Sequence, residues 1–228
     1  MPETRLAFQE ELQDLENRAL EGLDMVVTTL RRTMEALEHQ DVELAEMVIV
    51  DDDRIDGRYL EVHQGILSLL ARQSPVATDL RLVAALLDVI KHVERMGDQC
   101  VNIAKMIAVS GREPPTDRSM LDTLAEMGRQ AASLVEQAKI AFGGRNVALA
   151  EDLVVRDETI NRLQRECFRI AIEIGDDIDT REWAMHMTLV GRALERVGDN
   201  AVDIGEQTAF VVTGLFREFS DSSHPVTR

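Results

Sequence analysis

The sequence predicts an all-α protein made of two tandem antiparallel three-helix bundles that are related by an internal repeat. Apolar residues recur every three or four positions along most of the chain, and no stretch alternates as a strand would. The composition agrees, with 5 prolines, 13 glycines and 4% aromatic residues among 228, which favours helices. A polar decapeptide at residues 94–103 also returns at residues 195–204 with six of ten residues identical. One helical unit is therefore expected twice.

The first half is expected to hold three helices, over residues 4–39, 42–72 and 75–110. Asp41 is placed to cap the second helix. Ser74 and Pro75 provide a cap and a proline at the first position of the third helix. A Gly- and Pro-containing stretch at 111–115 is the strongest break in the chain. The first predicted domain therefore spans residues 1–111.

The second half repeats this order, with predicted helices over residues 117–142, 147–174 and 181–219. Gly143 and Gly144 are typical of a helix C-terminus, and Asp179 or Thr180 is expected to cap the sixth helix. The second predicted domain spans residues 112–219, and residues 220–228 form a polar tail. Short connections between successive helices predict antiparallel bundles.

The two halves align at an offset of 105 residues in their second helices, which places Asp52 over Asp157, and of 101 in their third helices. The third and sixth helices carry matching apolar seams with the spacing of bundle cores. The seam residues are Leu82, Leu86, Val89, Val93, Met96, Cys100, Ile103 and Ile107, then Trp183, Met187, Val190, Leu194, Val197, Ala201, Ile204 and Thr208. Cys100 is thus expected to be a buried small hydrophobe.

The chain has 25 Lys and Arg against 42 Asp and Glu, a net charge of −17. Such a surface repels phosphate backbones and anionic lipids, so direct nucleic-acid binding is not expected. Two cysteines do not make a disulfide framework and are compatible with a reducing compartment. The longest apolar stretch is too short to span a bilayer, and no N-terminal signal is apparent. We therefore expect a soluble, intracellular protein.

The acidic residues of the repeated decapeptide step by four and form one outward-facing ridge on each helix. The members are Glu94, Asp98 and Asn102 in the first copy and Glu195, Asp199 and Asp203 in the second, with Glu206 beyond them. Like charges at this spacing destabilise an isolated helix by about 0.2–0.5 kcal/mol per pair. The ridges therefore require a compensating partner.

Two kinds of partner are open. Lys91, Arg95, Arg192 and Arg196 lie three residues before ridge carboxylates and could make a solvated ion-pair face. Alternatively, each ridge binds a multivalent cation together with carboxylates of a neighbouring helix, namely Asp52 or Asp56 and Asp157. Oxygen ligands at this density suit Mg²⁺, Mn²⁺, Ca²⁺ or oxidised iron better than zinc.

Gly97 and Gly198 lie inside both motifs, where glycine disfavours a helix by about 1 kcal/mol relative to alanine. They are expected to allow another helix or chain to approach closely.

The chain contains no Glu-x-x-His pair for a ferritin-like di-iron centre and none of the common nucleotide-binding, zinc-protease or serine-hydrolase motifs. The histidines are expected at the surface or at helix ends, and no enzymatic activity is predicted.

The repeated Glu-Arg-x-Gly-Asp sequences at 94–98 and 195–199 resemble the signature of the PhoU family, the phosphate-specific transport accessory proteins. Residues 75–81, Pro-Val-Ala-Thr-Asp-Leu-Arg, are similar to that family's P-x-A-x-D-L-R stretch. The resemblance covers about residues 8–215. It implies two tandem three-helix bundles in a cytoplasmic, non-enzymatic regulator that is usually dimeric.

The resemblance further implies an adaptor between a Pst-type phosphate ABC transporter, through its ATPase subunit, and a PhoR-type sensor kinase. Phosphate-starvation genes would be held off when phosphate is plentiful, and the membrane would be reached only through partner proteins. Some members hold iron or other metal clusters at the acidic motifs. That implies ligand roles for Glu94, Asp98, Glu195, Asp199 and Asp203, together with Asn102.

The second copy departs from the family pattern in two places. It lacks the P-x-A-x-D-L-R stretch, and Asn161 stands where the first copy has Asp56. The two bundles are therefore expected to bind metal unequally. Other functions left open are a metal-handling protein, a regulator of another transporter class and a plain helical scaffold.

Overall fold

A computed structural model of the chain describes residues 2–110, 118–175 and 177–219, with side chains from residue 5 onward. Its helices are α1 Pro2–His39, α2 Val42–Asp51, α3 Asp53–Arg72, α4 Ala77–Ser110, α5 Ser119–Gly143, α6 Val147–Glu173 and α7 Ile178–Thr213. The described residues contain no strand, so the all-α prediction is confirmed. The predicted break at 111–115 and the tail 220–228 lie outside the described residues.

Equivalent caps start the second helix of each half. The Asp41 side chain accepts a hydrogen bond from the Leu44 N–H at 2.9 Å, and the Asn146 side chain accepts one from the Leu149 N–H at 3.1 Å. Each cap satisfies a backbone donor that the helix itself cannot. The predicted second helix is interrupted at Asp52, which separates α2 from α3 although its φ of −62° and ψ of −31° are helical.

Three predicted helix ends were wrong. The third helix begins at Ala77 and not at Pro75, because Ala77 has a left-handed φ of 50° that separates Pro75 from the helix. The sixth begins at Ile178, since the Asp177 side chain accepts the Thr180 N–H at 3.0 Å. It ends at Thr213 and not at residue 219, because Gly214 has φ 75° and donates its N–H to the Phe210 carbonyl at 2.8 Å.

The predicted seams form the core. Every seam residue is buried except Leu82, which is partly buried and packs against the core. In the first half α1 contacts α2, α3 and α4, and in the second α5 contacts α6 and α7. The halves join where α4 packs on its own repeat α7 and where α1 packs on α5. The buried apolar residues of both halves form one continuous cluster.

This packing leaves two equivalent grooves on opposite flanks. Among the described residues, α2 and α3 contact only each other and the first-half helices α1 and α4, whereas α6 contacts only α5 and α7. The groove between α3 and α4 carries the first acidic motif, and the groove between α6 and α7 carries the second. No helix in the described part is long and apolar enough to cross a bilayer.

Candidate functional site

Four of the predicted residues come together in the groove of the first half. Asp52 at the α2–α3 junction lies among Asp56 of α3 and Glu94 and Asp98 of α4, and their mutual repulsion is strong enough to alter proton binding. Burial first, and then these three carboxylates and Asp53, raise the pKa of Asp52 from its ordinary 3.8 to about 6. We call Asp52, Asp56, Glu94 and Asp98 the first carboxylate cluster.

The position of Asp52 follows from Gly97. A Cβ atom at residue 97 would lie 3.0 Å from Asp52 Oδ1 and 3.1 Å from a methyl carbon of Ile55. The glycine therefore gives the carboxylate room to enter the helix–helix contact. Asp52 Oδ1 is buried and accepts no hydrogen bond from any described residue, which is an unfavourable state for a carboxylate.

The remaining members of the first cluster are more accessible. Asp56 and Asp98 are exposed, and Glu94 is half-buried. Burial, Asp98 and Asp56 raise the pKa of Glu94, and this rise is only partly offset by Arg95 and Lys91. Asn102 is exposed one turn beyond Asp98. The first cluster is thus an accumulation of negative charge that its own lysine and arginine do not neutralise.

The second half brings together Asp157, Glu195, Asp199 and Asp203 in a different electrostatic setting. Asp157 is only 7% exposed, and its Oδ2 accepts a hydrogen bond from Asn161 Nδ2 at 2.8 Å. Glu195 is paired with Arg192. A neutral amide and an arginine therefore compensate charge that stays uncompensated in the first cluster.

A cleft of about 210 Å³ lies beside the second group and is lined by Asp157, Asp199, Asp203, Glu206 and Phe219, among others. The segment after α7 forms one edge of it. The Phe219 N–H donates to Glu206 Oε1 at 2.6 Å, and Phe216 stacks on Phe210 with ring centroids 3.9 Å apart. The first groove has no equivalent of this closing segment among the described residues.

Asp203 also faces the contact between the two halves. Its Oδ2 lies 3.5 Å from His92 Nδ1, and Asn200 Oδ1 lies 2.8 Å from the same nitrogen. Burial raises the pKa of Asp203, while His92 and Arg95 offset part of that rise. The expectation that the histidines are surface or helix-end residues is wrong for His92, which is 8% exposed in the middle of α4.

Sequence reasoning missed the polar contact of His92 with Asn200. The two residues are not equivalent in the repeat, because His92 aligns with Ala193 and Asn200 with Gln99. The one available signal was the position of His92 next to the apolar seam, on the side that packs against α7. Periodicity in one helix cannot tell such a position from a solvent-exposed one when the partner helix is unknown.

The first cluster has donor atoms of the kind that hard cations prefer. Carboxylate oxygens suit Mg²⁺, Mn²⁺, Ca²⁺ and oxidised iron, and the unsatisfied Asp52 Oδ1 would be satisfied by a cation. In the described part of the chain, however, no three His, Cys, Asp or Glu side chains converge in the geometry of a metal site. A cation would have to draw the exposed Asp56 and Asp98 inward.

The two thiols are not placed for chemistry. Cys100 and Cys167 are both free and buried. Burial is the main cause that raises the pKa of each thiol to about 12. Since the thiolate is the reactive form, both cysteines are packing residues in the neutral pH range.

Comparison with known proteins gives a consistent result over nearly the whole chain. The model of the PhoU domain matches residues 20–107 and again residues 124–208. A Clostridium acetobutylicum protein named phosphate-specific transport system accessory protein PhoU homolog is 30% identical over 220 residues, covering 96% of this chain and all of the relative. A Thermotoga maritima PhoU homolog 1 is 31% identical over 208 residues, covering 91% of this chain and 89% of the relative.

Two solved structures have the same fold. The phosphate transport system regulatory protein PhoU from Streptococcus pneumoniae superposes with a TM-score of 0.82 at 25% identity, covering 92% of this chain and 99% of that one. PhoU from Pseudomonas aeruginosa gives a TM-score of 0.81 at 27% identity, covering 91% and 100% respectively.

Proposed function

Because this chain belongs to the PhoU family, with the family's domain present in both halves, we propose that it is a regulator of phosphate uptake. Its named relatives are accessory proteins of a phosphate-specific transport system. The observation that carries the proposal is similarity over nearly the full length, with matched ranges that contain both acidic motifs. The chain would act in the cytoplasm, as an accessory to a phosphate ABC transporter.

The finer proposal is an adaptor role. The chain would contact the ATPase subunit of a Pst-type transporter and a PhoR-type sensor kinase, as a homodimer, and would keep phosphate-starvation genes off at high phosphate. The proposed role is non-enzymatic, and the two buried thiols, whose pKa of about 12 keeps them protonated, supply no cysteine nucleophile. Partner binding would have to use exposed surfaces, because the helical interior is filled.

A deletion strain tests this function. On high phosphate, deletion should raise transcription of phosphate-uptake genes, and the wild-type chain supplied in trans should restore repression. Pull-down of the tagged chain should recover the transporter ATPase or the kinase. Unchanged transcription in the deletion strain would contradict the proposal.

Cation binding is a second candidate function, favoured by the uncompensated first cluster and the unsatisfied Asp52 Oδ1. The two halves should bind unequally, because Asn161 and Arg192 already satisfy carboxylates of the second group. Calorimetric titration with Mn²⁺ should show binding that Asp98→Asn weakens at least tenfold, whereas the matched Asp199→Asn has a smaller effect. Equal losses, or no Mn²⁺ binding by the wild type, would exclude this asymmetric site.

A further inference from the structure

The outer side of α3 carries a stripe of exposed residues that the acidic motif does not explain. Residues 53, 57, 60, 64 and 67 step by four and three, so they lie on one face of the helix. Leu60 and Leu67 are each 52% exposed. Nothing lies within 4 Å of the position of a Cβ atom at Gly57. Single exposed leucines are common, but here two lie in register beside an open glycine.

Negative charge borders this stripe. Asp53 belongs to the stripe itself, and Asp56, Glu94 and Asp98 of the first carboxylate cluster lie beside it in the α3–α4 groove. The arginines of this flank do not neutralise the cluster. Arg58 is paired with Glu21 of α1 at 2.7 Å, and Arg54 lines a cleft beside α1. The surface therefore combines an apolar ridge with uncompensated carboxylates.

The equivalent stripe of the second half has the opposite character. It consists of Glu158, Arg162, Arg165, Arg169 and Ile172, so that Arg165 stands where Leu60 does. Two of these arginines are engaged by their own helix. Arg165 pairs with Glu158 at 2.6 Å, and Arg169 pairs with Glu166 and with Glu173. Because Arg165 replaces Leu60, the stripe of the second half lacks the pair of leucines, seven residues apart, that the first half has.

We propose that the α3 stripe and the bordering carboxylates form a docking surface for an amphipathic helix of a partner protein that carries Lys or Arg beside its apolar face. Helices that dock in grooves use anchors spaced by three, four and seven residues, which is the spacing that Leu60 and Leu67 provide. Cationic side chains of the partner would relieve the repulsion within the first cluster. From residue 53 to residue 67 the stripe is about 21 Å long, enough for a helix of roughly four turns.

Other occupants fit less well. Nucleic acid and anionic lipid are repelled by a chain of net charge −17. In a second copy of this chain, the complementary arginine stripe lies on α6, on the opposite flank. Pairing of unlike stripes on opposite flanks gives a head-to-tail contact that does not close into a dimer. The docking proposal rests on the proposed function, in that the partner would belong to the transport system being regulated.

A model peptide tests the surface on the full chain. The probe is a 14-residue helical peptide of leucine and lysine, and its control has the same composition in scrambled order. Amide chemical shifts should change in α3 and α4, and the scrambled peptide should bind at least tenfold more weakly. Leu67→Arg should weaken binding at least tenfold, whereas the matched Ile172→Arg in the second half should change it less than twofold.

The charge contribution is tested separately with Asp56→Asn, which copies the residue at Asn161. This change should weaken the peptide about threefold and reduce the dependence of its affinity on salt. Equal binding of the scrambled peptide, or no effect of Leu67→Arg, would overturn the docking surface. Self-association that Leu67→Arg abolishes would identify a second copy as the occupant and would also overturn it. The deletion strain tests the regulatory function, and the peptide tests the docking surface. Failure of one proposal can therefore be told from failure of the other.

Discussion

Asp52, a half-buried carboxylate, makes the stability of the fold depend on pH. Because its pKa is raised from 3.8 to about 6, the folded chain holds this proton more tightly than the unfolded chain does between those values. The free energy of unfolding that Asp52 contributes is therefore greatest below pH 3.8 and is lost as the pH rises through 6. For a group fully shielded from solvent, this rise in pKa would change the free energy of unfolding by about 3 kcal/mol. Because Asp52 is only half-buried, solvent screening reduces that change to about 1 kcal/mol.

We accordingly expect Asp52→Asn to raise the free energy of unfolding by about 1 kcal/mol at pH 8 and to leave it nearly unchanged near pH 3.5. Urea denaturation followed by circular dichroism measures both values. The exposed Asp88 of α4 provides the control, since Asp88→Asn should stay within about 0.5 kcal/mol at either pH. The same gain for Asp52→Asn at both pH values would contradict a raised pKa of Asp52 in the folded chain.

Gly198 is a position in the repeated motif that has no room for a larger side chain. A Cβ atom there would overlap Asp157 Oδ1 and lie 3.1 Å from Ile160 Cδ1, and Asp157 is buried and held by Asn161. Gly198→Ala should therefore destabilise the fold by about 1–3 kcal/mol, despite the better helix propensity of alanine. Gly97→Ala, where the same contact is 3.0 Å, should be less destabilising. Chemical denaturation of the two variants compares them, and the reverse order would refute this account.

The acidic residues and the need for close approach at the glycines were predictable from the sequence, because the decapeptide occurs twice. The identity of the approaching group was not. Asp52 and Asp157 themselves fill the space beside Gly97 and Gly198. Which residue lies there depends on how far one helix is shifted along the other. Periodicity within a helix fixes its faces but not this relative shift.

At the scale of helices, the stretch at 75–81 joins the start of α4 to the end of α7. Arg81 Nε donates to the Val211 carbonyl at 3.1 Å, and Arg81 Nη2 donates to Thr78 Oγ1 at 3.1 Å. A cationic donor at a helix C-terminus satisfies a carbonyl that the helix leaves unpaired. The family-like stretch thus has a structural role in this chain, 130 residues from the carbonyl it binds.

Arg81→Ala should lower the free energy of unfolding by about 1–2 kcal/mol, since it removes a charged donor from the Val211 carbonyl. Because the segment after α7 leaves from this point, its Phe219 amide should exchange hydrogen faster. Hydrogen exchange measured by mass spectrometry reports this change. Thr78→Val keeps the Arg81–Val211 bond and should leave the exchange of Phe219 nearly unchanged; equal acceleration by both variants would contradict the proposed link.

The long helices were predictable because their apolar periodicity extends over many turns, whereas three of their ends and the interruption at Asp52 were not. The choice of Asp177 over Asp179 as cap depends on which side chain reaches the Thr180 N–H. The end at Gly214 depends on the left-handed conformation of this glycine. The sequence alone does not reveal that conformation, because glycine also occurs within helices. The turn at Ala77 has a positive φ that propensity does not anticipate for alanine.

At the scale of the whole molecule, the continuous core predicts that both halves unfold together. Trp183 is the only tryptophan and lies in the second half, whereas Ile66 is fully buried in the first. Ile66→Ala should destabilise the chain by about 2–5 kcal/mol and should shift the Trp183 fluorescence transition as much as the helical signal. An unshifted fluorescence transition would show that the halves unfold independently.

The sequence predicted two bundles but not the way in which they pack. The seams account for the interior of each half, whereas the contact of α4 with α7 includes the polar residues His92 and Asn200. In the sequence, such polar residues cannot be distinguished from a solvent-exposed face unless the facing helix is known. Their burial is supported by hydrogen bonds, with Asn200 Nδ2 donating to the Arg196 carbonyl at 2.6 Å.

The contact of α4 with its own repeat is one that two identical bundles would make about a twofold axis. Duplication within one chain keeps that arrangement and removes the requirement that its two sides stay identical. Each substitution can then alter one groove without altering the other. Asp56 and Asn161 occupy one such pair of positions, and Leu60 and Arg165 another. Because both bundles belong to one chain, two equivalent surfaces can carry different residues and bind different partners.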